Sequence, residues 1–202
     1  MRESSAFKIL NLIFTALAVI SCAFIFSTNS ANHTILFAST YLAIISIIDA
    51  KFSKIPNKIT FPFCILALLY NIIFSGWGGL GLALAGTFSG LGLLLPIFLL
   101  GGMGAGDVKA LAALGTLMGP KDILQIFLYM GIVGGVIGLM YFVISGRLTF
   151  LLSYISQRFK EYFFFKDIQP FKAGKGESGI RFPYAIAIAF GFSIYVLRGG
   201  II

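Results

Sequence analysis

The chain has 202 residues, of which 58% are hydrophobic and 11% charged, against roughly 25% charged residues in an ordinary soluble domain. A mean hydropathy of +0.98 excludes a soluble globular fold and points to an all-α, polytopic membrane helix bundle. Fifteen Lys and Arg against seven Asp and Glu give a net charge of +8. The basic residues sit between apolar runs, where membrane topology alone puts them, so lipid rather than nucleic acid is the implied partner. The two cysteines, Cys22 and Cys64, lie within apolar runs and form no CxxC pair, which leaves neither a disulfide framework nor a thiolate zinc site.

The chain reads as a single membrane-embedded domain over 1–202. Lys8 to Phe26 is an apolar run of about the ~20 residues that cross a bilayer. No small-x-small cleavage site follows it, so residues 1–30 read as an additional, retained N-terminal helix. His33 to Ile48 is the second span and ends at Asp49. A short basic loop with Lys51, Lys54 and Lys58 follows, in which Pro56 stops any helix that reaches it. Phe61 to Phe74 is the third span, and Gly76, Trp77, Gly78 and Gly79 turn the chain, with the tryptophan suited to a membrane interface. Leu80 to Leu100 is the fourth and carries Gly86 and Gly90 at GxxxG spacing, a helix-packing pattern.

Gly101, Gly102, Gly104 and Gly106 then break the chain before a weakly apolar segment, Val108 to Met118, which is short for a full span. Gly119 and Pro120 make the next turn. Ile123 to Ile144 is another span, with Gly131, Gly134, Gly135 and Gly138 as further close-packing positions. Arg147 to Arg181 holds seven basic and three acidic residues, and its aromatic and basic first half suits a helix lying on anionic lipid. Phe182 to Leu197 is the last span. Placing every strongly basic loop on the cytoplasmic side requires Val108 to Met118 to cross, which makes seven spans with the carboxyl terminus outside and 147–181 a cytoplasmic loop.

This topology brings Asp49 and Asp107 to one cytoplasmic face. The other five acids, Glu3, Asp122, Glu161, Asp167 and Glu177, lie in termini or polar loops, whereas acids abutting membrane spans are functional candidates by default. Asp107 also stands near a helix start, where it suits the positive end of the helix dipole and reads equally as a cap. Two carboxylates within hydrogen-bonding reach share a proton and act as one base and one acid. The base activates water for attack on a peptide carbonyl, while the acid protonates the carbonyl oxygen and helps the amine leave. Without histidine or cysteine the pair is a poor zinc site and magnesium stays chemically open, yet the hydrolytic scheme needs no metal or cofactor. The lone His33 falls on the opposite face, and Ser89 is a packing residue rather than a nucleophile.

The segment from Asp49 to Asn57, DAKFSKIPN, resembles the D-x5-I-P-N motif of the type IV prepilin peptidases, and GAGDVK at Gly104 to Lys109 resembles their GxGD motif with its Val-Lys continuation. Leu111 to Gly115 extends the likeness, and Arg181-Phe182-Pro183-Tyr184-Ala185 is similar to a late Ile-Pro-Phe-type segment of the same family. The resemblance implies a bacterial inner-membrane aspartic endopeptidase that removes basic leaders from prepilins at the cytoplasmic face, with Asp49 and Asp107 as its catalytic pair and pilus or secretion machinery as further partners. Ile55, Pro56 and Asn57 are then support for the exit of the Asp49 helix, Gly104 and Gly106 give room for approach to Asp107, and Lys109 snorkels to the surface. The cysteine-rich domain of bifunctional members is not in this sequence, so the chain resembles the short, peptidase-only form found with Flp or tight-adherence pili, acting without methylation. A proton-coupled transporter using the two acids as a relay, or a non-catalytic membrane component of a secretion system, are the alternatives.

Overall fold

A computed structural model of the chain describes residues 5–29, 32–99, 102–144 and 184–199. The basic segment 147–181 and the start of the last span lie outside the described residues. Those described form helices α1 (Ser5–Thr28), α2 (His33–Phe52), α3 (Asn57–Leu99), α4 (Ala105–Met118), α5 (Pro120–Ile144) and α6 (Tyr184–Arg198), and no strand occurs among them. Helices α1, α2, α3 and α5 are each long and apolar enough to cross a bilayer, and their outward faces carry large apolar side chains such as Leu12, Ile73, Phe88 and Ile132. This is a multi-pass membrane helix bundle, in which outward apolar faces meet lipid at no cost.

Although α3 runs for 43 residues, Gly76 interrupts it with φ 60 and ψ −147, a conformation open to glycine alone without strain. The chain folds back there. Residue 79 returns so closely to residue 71 that a Cβ on Gly79 would run into the Asn71 carbonyl, although eight helical residues would separate the two by about 12 Å. Both halves then flank the same point on α4. From the first half, Asn71 Nδ2 donates to the Thr116 carbonyl at 3.0 Å and the Cys64 thiol meets the Thr116 hydroxyl at 3.2 Å; from the second, the Thr87 hydroxyl meets it at 2.7 Å. Trp77, at the turn, is 89% exposed, as the interface reading expected. Counted as two, α3 raises the described helical segments to seven.

Helix α4 is the centre of the bundle. Val108 and every residue from Ala110 to Leu117 are buried, the pattern of a helix apolar on all sides. Its 14 residues reach about 21 Å at 1.5 Å per residue. The small residues explain its close fit: Gly86 and Gly115 meet backbone to backbone, so a Cβ on either would overlap the other's carbonyl, and a Cβ on Gly90 would stand 2.8 Å from the Ala112 Cα. The GxxxG reading of Gly86 and Gly90 therefore holds. In α5 it holds less well: Gly134 faces Ala187 of α6, whereas Gly131, Gly135 and Gly138 face open space. The tight contact between these helices comes instead from Gly191 of α6, seated on the Met130 amide and Ile126 carbonyl.

Two helix boundaries differ from expectation for local reasons. Helix α2 continues past Asp49 to Phe52 and is ended by Ser53, which adopts the left-handed conformation and returns its N–H to the Asp49 carbonyl at 2.7 Å. Pro56 does not fix this exit; it starts α3, its carbonyl accepting from Ile59 and Thr60, a place where the lacking proline N–H costs nothing. Between α4 and α5, Gly119 at φ 89 and Pro120 follow the usual order of glycine past a helix end and proline at the next helix start.

Candidate active site

Asp49 sits in the last turn of α2 and Asp107 at the third position of α4, with 5% and 8% of their surfaces exposed. Carboxylates are almost never buried so far without partners, and here the partners are backbone amides. The Ala185 N–H, among the orphan donors at the start of α6, donates to Asp49 Oδ2 at 3.2 Å. The Gly104 N–H donates to Asp107 Oδ2 at 3.1 Å. This second bond is half of a capping box; glycine at the N-cap has no side chain to supply the other half. Asp107 is thus a cap as well as a candidate acid. Both bonds fall on Oδ2, and each carboxylate has a second oxygen to offer.

The two carboxyls lie within electrostatic reach of each other, and the phenol of Tyr184 lies within reach of Asp107. Three helix ends converge to produce this: the C-terminal end of α2 and the N-terminal ends of α4 and α6. The last two direct partial positive charge toward the acids. Lys51, Lys54 and Lys58, which follow Asp49 in the chain, are all exposed. The remaining candidates stand far off. His33 begins α2, sixteen residues and so about 24 Å from Asp49 along a helix, and Asp122 in the first turn of α5 bonds Tyr195 near the end of α6. Among the described residues no three His, Cys, Asp or Glu side chains cluster to hold a metal ion.

The supporting residues tie the two motif segments together. Gly106 faces Ile55, whose Cβ and carbonyl would lie 3.3 and 3.4 Å from an added Cβ; Ile55 is itself buried at 8% exposure. A Cβ on Gly104 would come 3.2 Å from Asp107 Oδ2, so Gly104 lies against the acid itself, whereas Gly106 lets α4 close on Ile55. Lys109 does not simply snorkel. Its Nζ donates to Asn57 Oδ1 at 3.1 Å and stands 5.6 Å above the Phe61 ring, a cation–π arrangement linking α4 to the first turn of α3. Two neighbours of the pair escaped the reading of the sequence as site residues, Tyr184 and Ala185. The signal was present in the segment Arg181 to Ala185, but nothing in the spacing indicated that the start of α6 would meet both acids.

A family model described as the type IV leader peptidase family matches residues 36–139, a range that contains both aspartates and both motif segments but not Tyr184. Among curated proteins, a prepilin leader peptidase/N-methyltransferase of Bacillus subtilis is 34% identical over 111 residues, covering 54% of this chain and 44% of the relative. Proteins of the same description from Aeromonas hydrophila and Aeromonas salmonicida are each 29% identical over 134 residues, covering 63% of this chain and 46% of theirs. In every case the matched region spans less than half of the relative's length. No solved structure matches.

Proposed function

Because the chain belongs to the type IV leader peptidase family, we propose that it is a membrane aspartic endopeptidase that removes basic leaders from prepilin-like precursors, with Asp49 and Asp107 as its catalytic pair. The observation that carries this reading is the meeting of two buried carboxylates, one from each motif segment, at a single end of the bundle. One carboxylate takes a proton from water as the water attacks the scissile carbonyl. The other protonates the carbonyl oxygen and then assists the departing amine. The dipoles of α4 and α6 oppose the negative charge that two acids would otherwise concentrate there. Exposed Lys51, Lys54 and Lys58, in the loop and helix start that follow Asp49, support its assignment to the cytoplasmic face of a bacterial inner membrane. A precursor presented there fits the reading, with pilus or secretion machinery as the wider setting.

The test is the full chain in liposomes, given a synthetic precursor with a short basic leader ahead of an apolar helix and followed by mass spectrometry of the products. A single cut, yielding a mature amino terminus, is the expected result. An uncut precursor together with a proton flux carried by the same liposomes would replace the peptidase with the transporter reading, which needs acids near the bilayer midplane rather than at helix ends.

A further inference from the structure

The first two residues of α6 reach both acids by different routes. The Ala185 amide holds Asp49 directly at 3.2 Å, and the Ala185 carbonyl accepts from the Ser46 hydroxyl one turn earlier in α2 at 3.4 Å. This is a two-point latch between α6 and the end of α2. Tyr184 takes the other direction. Its hydroxyl donates to the Gly102 carbonyl at 2.9 Å, Gly102 in turn donates to the Ile97 carbonyl at 2.9 Å at the end of α3, and two residues later the Gly104 amide grips Asp107. Behind them, Ala185, Ile186, Ala187, Ile188 and Ala189 are at most 1% exposed, so the start of α6 is set in a close-packed wall that does not yield easily.

We propose that Tyr184 is a positioning residue that sets the spacing of the two carboxylates, its hydroxyl holding the Gly102–Gly104 segment in register with the α6 amide that holds Asp49. Asp49 is fixed to the backbone of α6, and Asp107 is fixed to a glycine-containing segment in which Met103 alone carries a side chain, packed against the core. The phenol joins the two. A proton shared between carboxylates requires their oxygens at hydrogen-bonding distance, and a misplacement on the order of 1 Å at such a site costs about 10²-fold in rate. Tyr184 lies outside residues 36–139 that the family model matches, and this role is argued from the contacts of this chain rather than from the likeness of the Arg181 to Ala185 segment. Its consequence for cleavage rests on the peptidase reading above; the spacing itself does not.

The test therefore has an arm without substrate. In membranes carrying Cys22→Ala and Cys64→Ala, the exposed pair Lys51→Cys with Ala105→Cys, which leaves both acids and their amide bonds in place, is treated with a short bifunctional thiol reagent, with Tyr184 intact or as Tyr184→Phe. The expected result is a roughly tenfold slower bridging with Tyr184→Phe, the population shift that one hydrogen bond sustains. In the chain with both acids intact, Tyr184→Phe is expected to lower kcat by about 10- to 10²-fold at unchanged KM, as loss of a positioning contact behind the acids does. Equal bridging rates in the two backgrounds overturn the proposal whether or not the chain cleaves a precursor, as does a variant whose thermal midpoint falls while bridging rate and kcat stay at the wild-type level. Slower bridging in a chain that cleaves nothing would uphold the spacing role and count against the peptidase reading alone.

Discussion

Asp107 does two things at once, and substitution separates them. Asp107→Asn keeps an oxygen where Oδ2 accepts from the Gly104 amide at 3.1 Å, so the cap survives and the side-chain volume is unchanged. Asp107→Ala removes the cap as well. One intramolecular hydrogen bond contributes about 1 kcal/mol net, and that amount shifts the thermal midpoint of a chain of this size by about 2–4 °C. Asp107→Ala is thus expected to unfold a few degrees lower in detergent, while Asp107→Asn stays within a degree or so of wild type by the same relation. Cleavage should not follow stability. Both variants lose the ionisable group, and a general acid or base contributes about 10²–10⁴-fold, so both should lose nearly all conversion of precursor to mature form in membranes holding equal amounts of protein. Asp49→Asn should match them. Because the two acids act as a unit, the double Asn variant should be hardly slower than either single one. Near-normal processing by Asp107→Asn would refute the dyad and return Asp107 to the role of a helix cap.

The Gly86–Gly115 contact predicts that Gly115→Ala, whose Cβ overlaps the Gly86 carbonyl, destabilises by about 1–3 kcal/mol as overpacking does. Gly131→Ala, which meets nothing within 4 Å, is the control, and thermal unfolding in detergent compares them; equal midpoints would remove the close-packing argument. A double-mutant cycle on Asn57→Ala and Lys109→Met should return a coupling of about 0.5–1 kcal/mol, reduced by the exposure of Asn57, and additive effects would mean that the 3.1 Å bond contributes nothing. Cleavage should persist after exhaustive chelation; activity that vanished and returned with zinc would contradict a mechanism carried by two carboxylates alone.

Composition and the periodic placing of apolar runs were enough to read an all-helical membrane bundle, because in a bilayer the only cheap way to satisfy a helix backbone is within the helix. Asp49 and Asp107 stood out for a related reason: a charge at the end of an apolar run is costly enough that few are retained. The turn at Gly76 and the Gly86–Gly90 packing face were legible too, since each depends on a residue without a Cβ. Other features depend on what comes close in space. Pro56 read as the stop of α2, but a left-handed Ser53 had already ended that helix, leaving the proline to begin α3. Lys109 read as a snorkelling surface charge until Asn57, 52 residues away, supplied an acceptor. The start of α6 carries no chemical group that spacing alone would single out for a role with the acids. Only when the bundle closes do the Ala185 amide and the Tyr184 hydroxyl meet Asp49 and the glycine segment before Asp107, because contacts between segments more than 80 residues apart are set by packing and not by any local pattern.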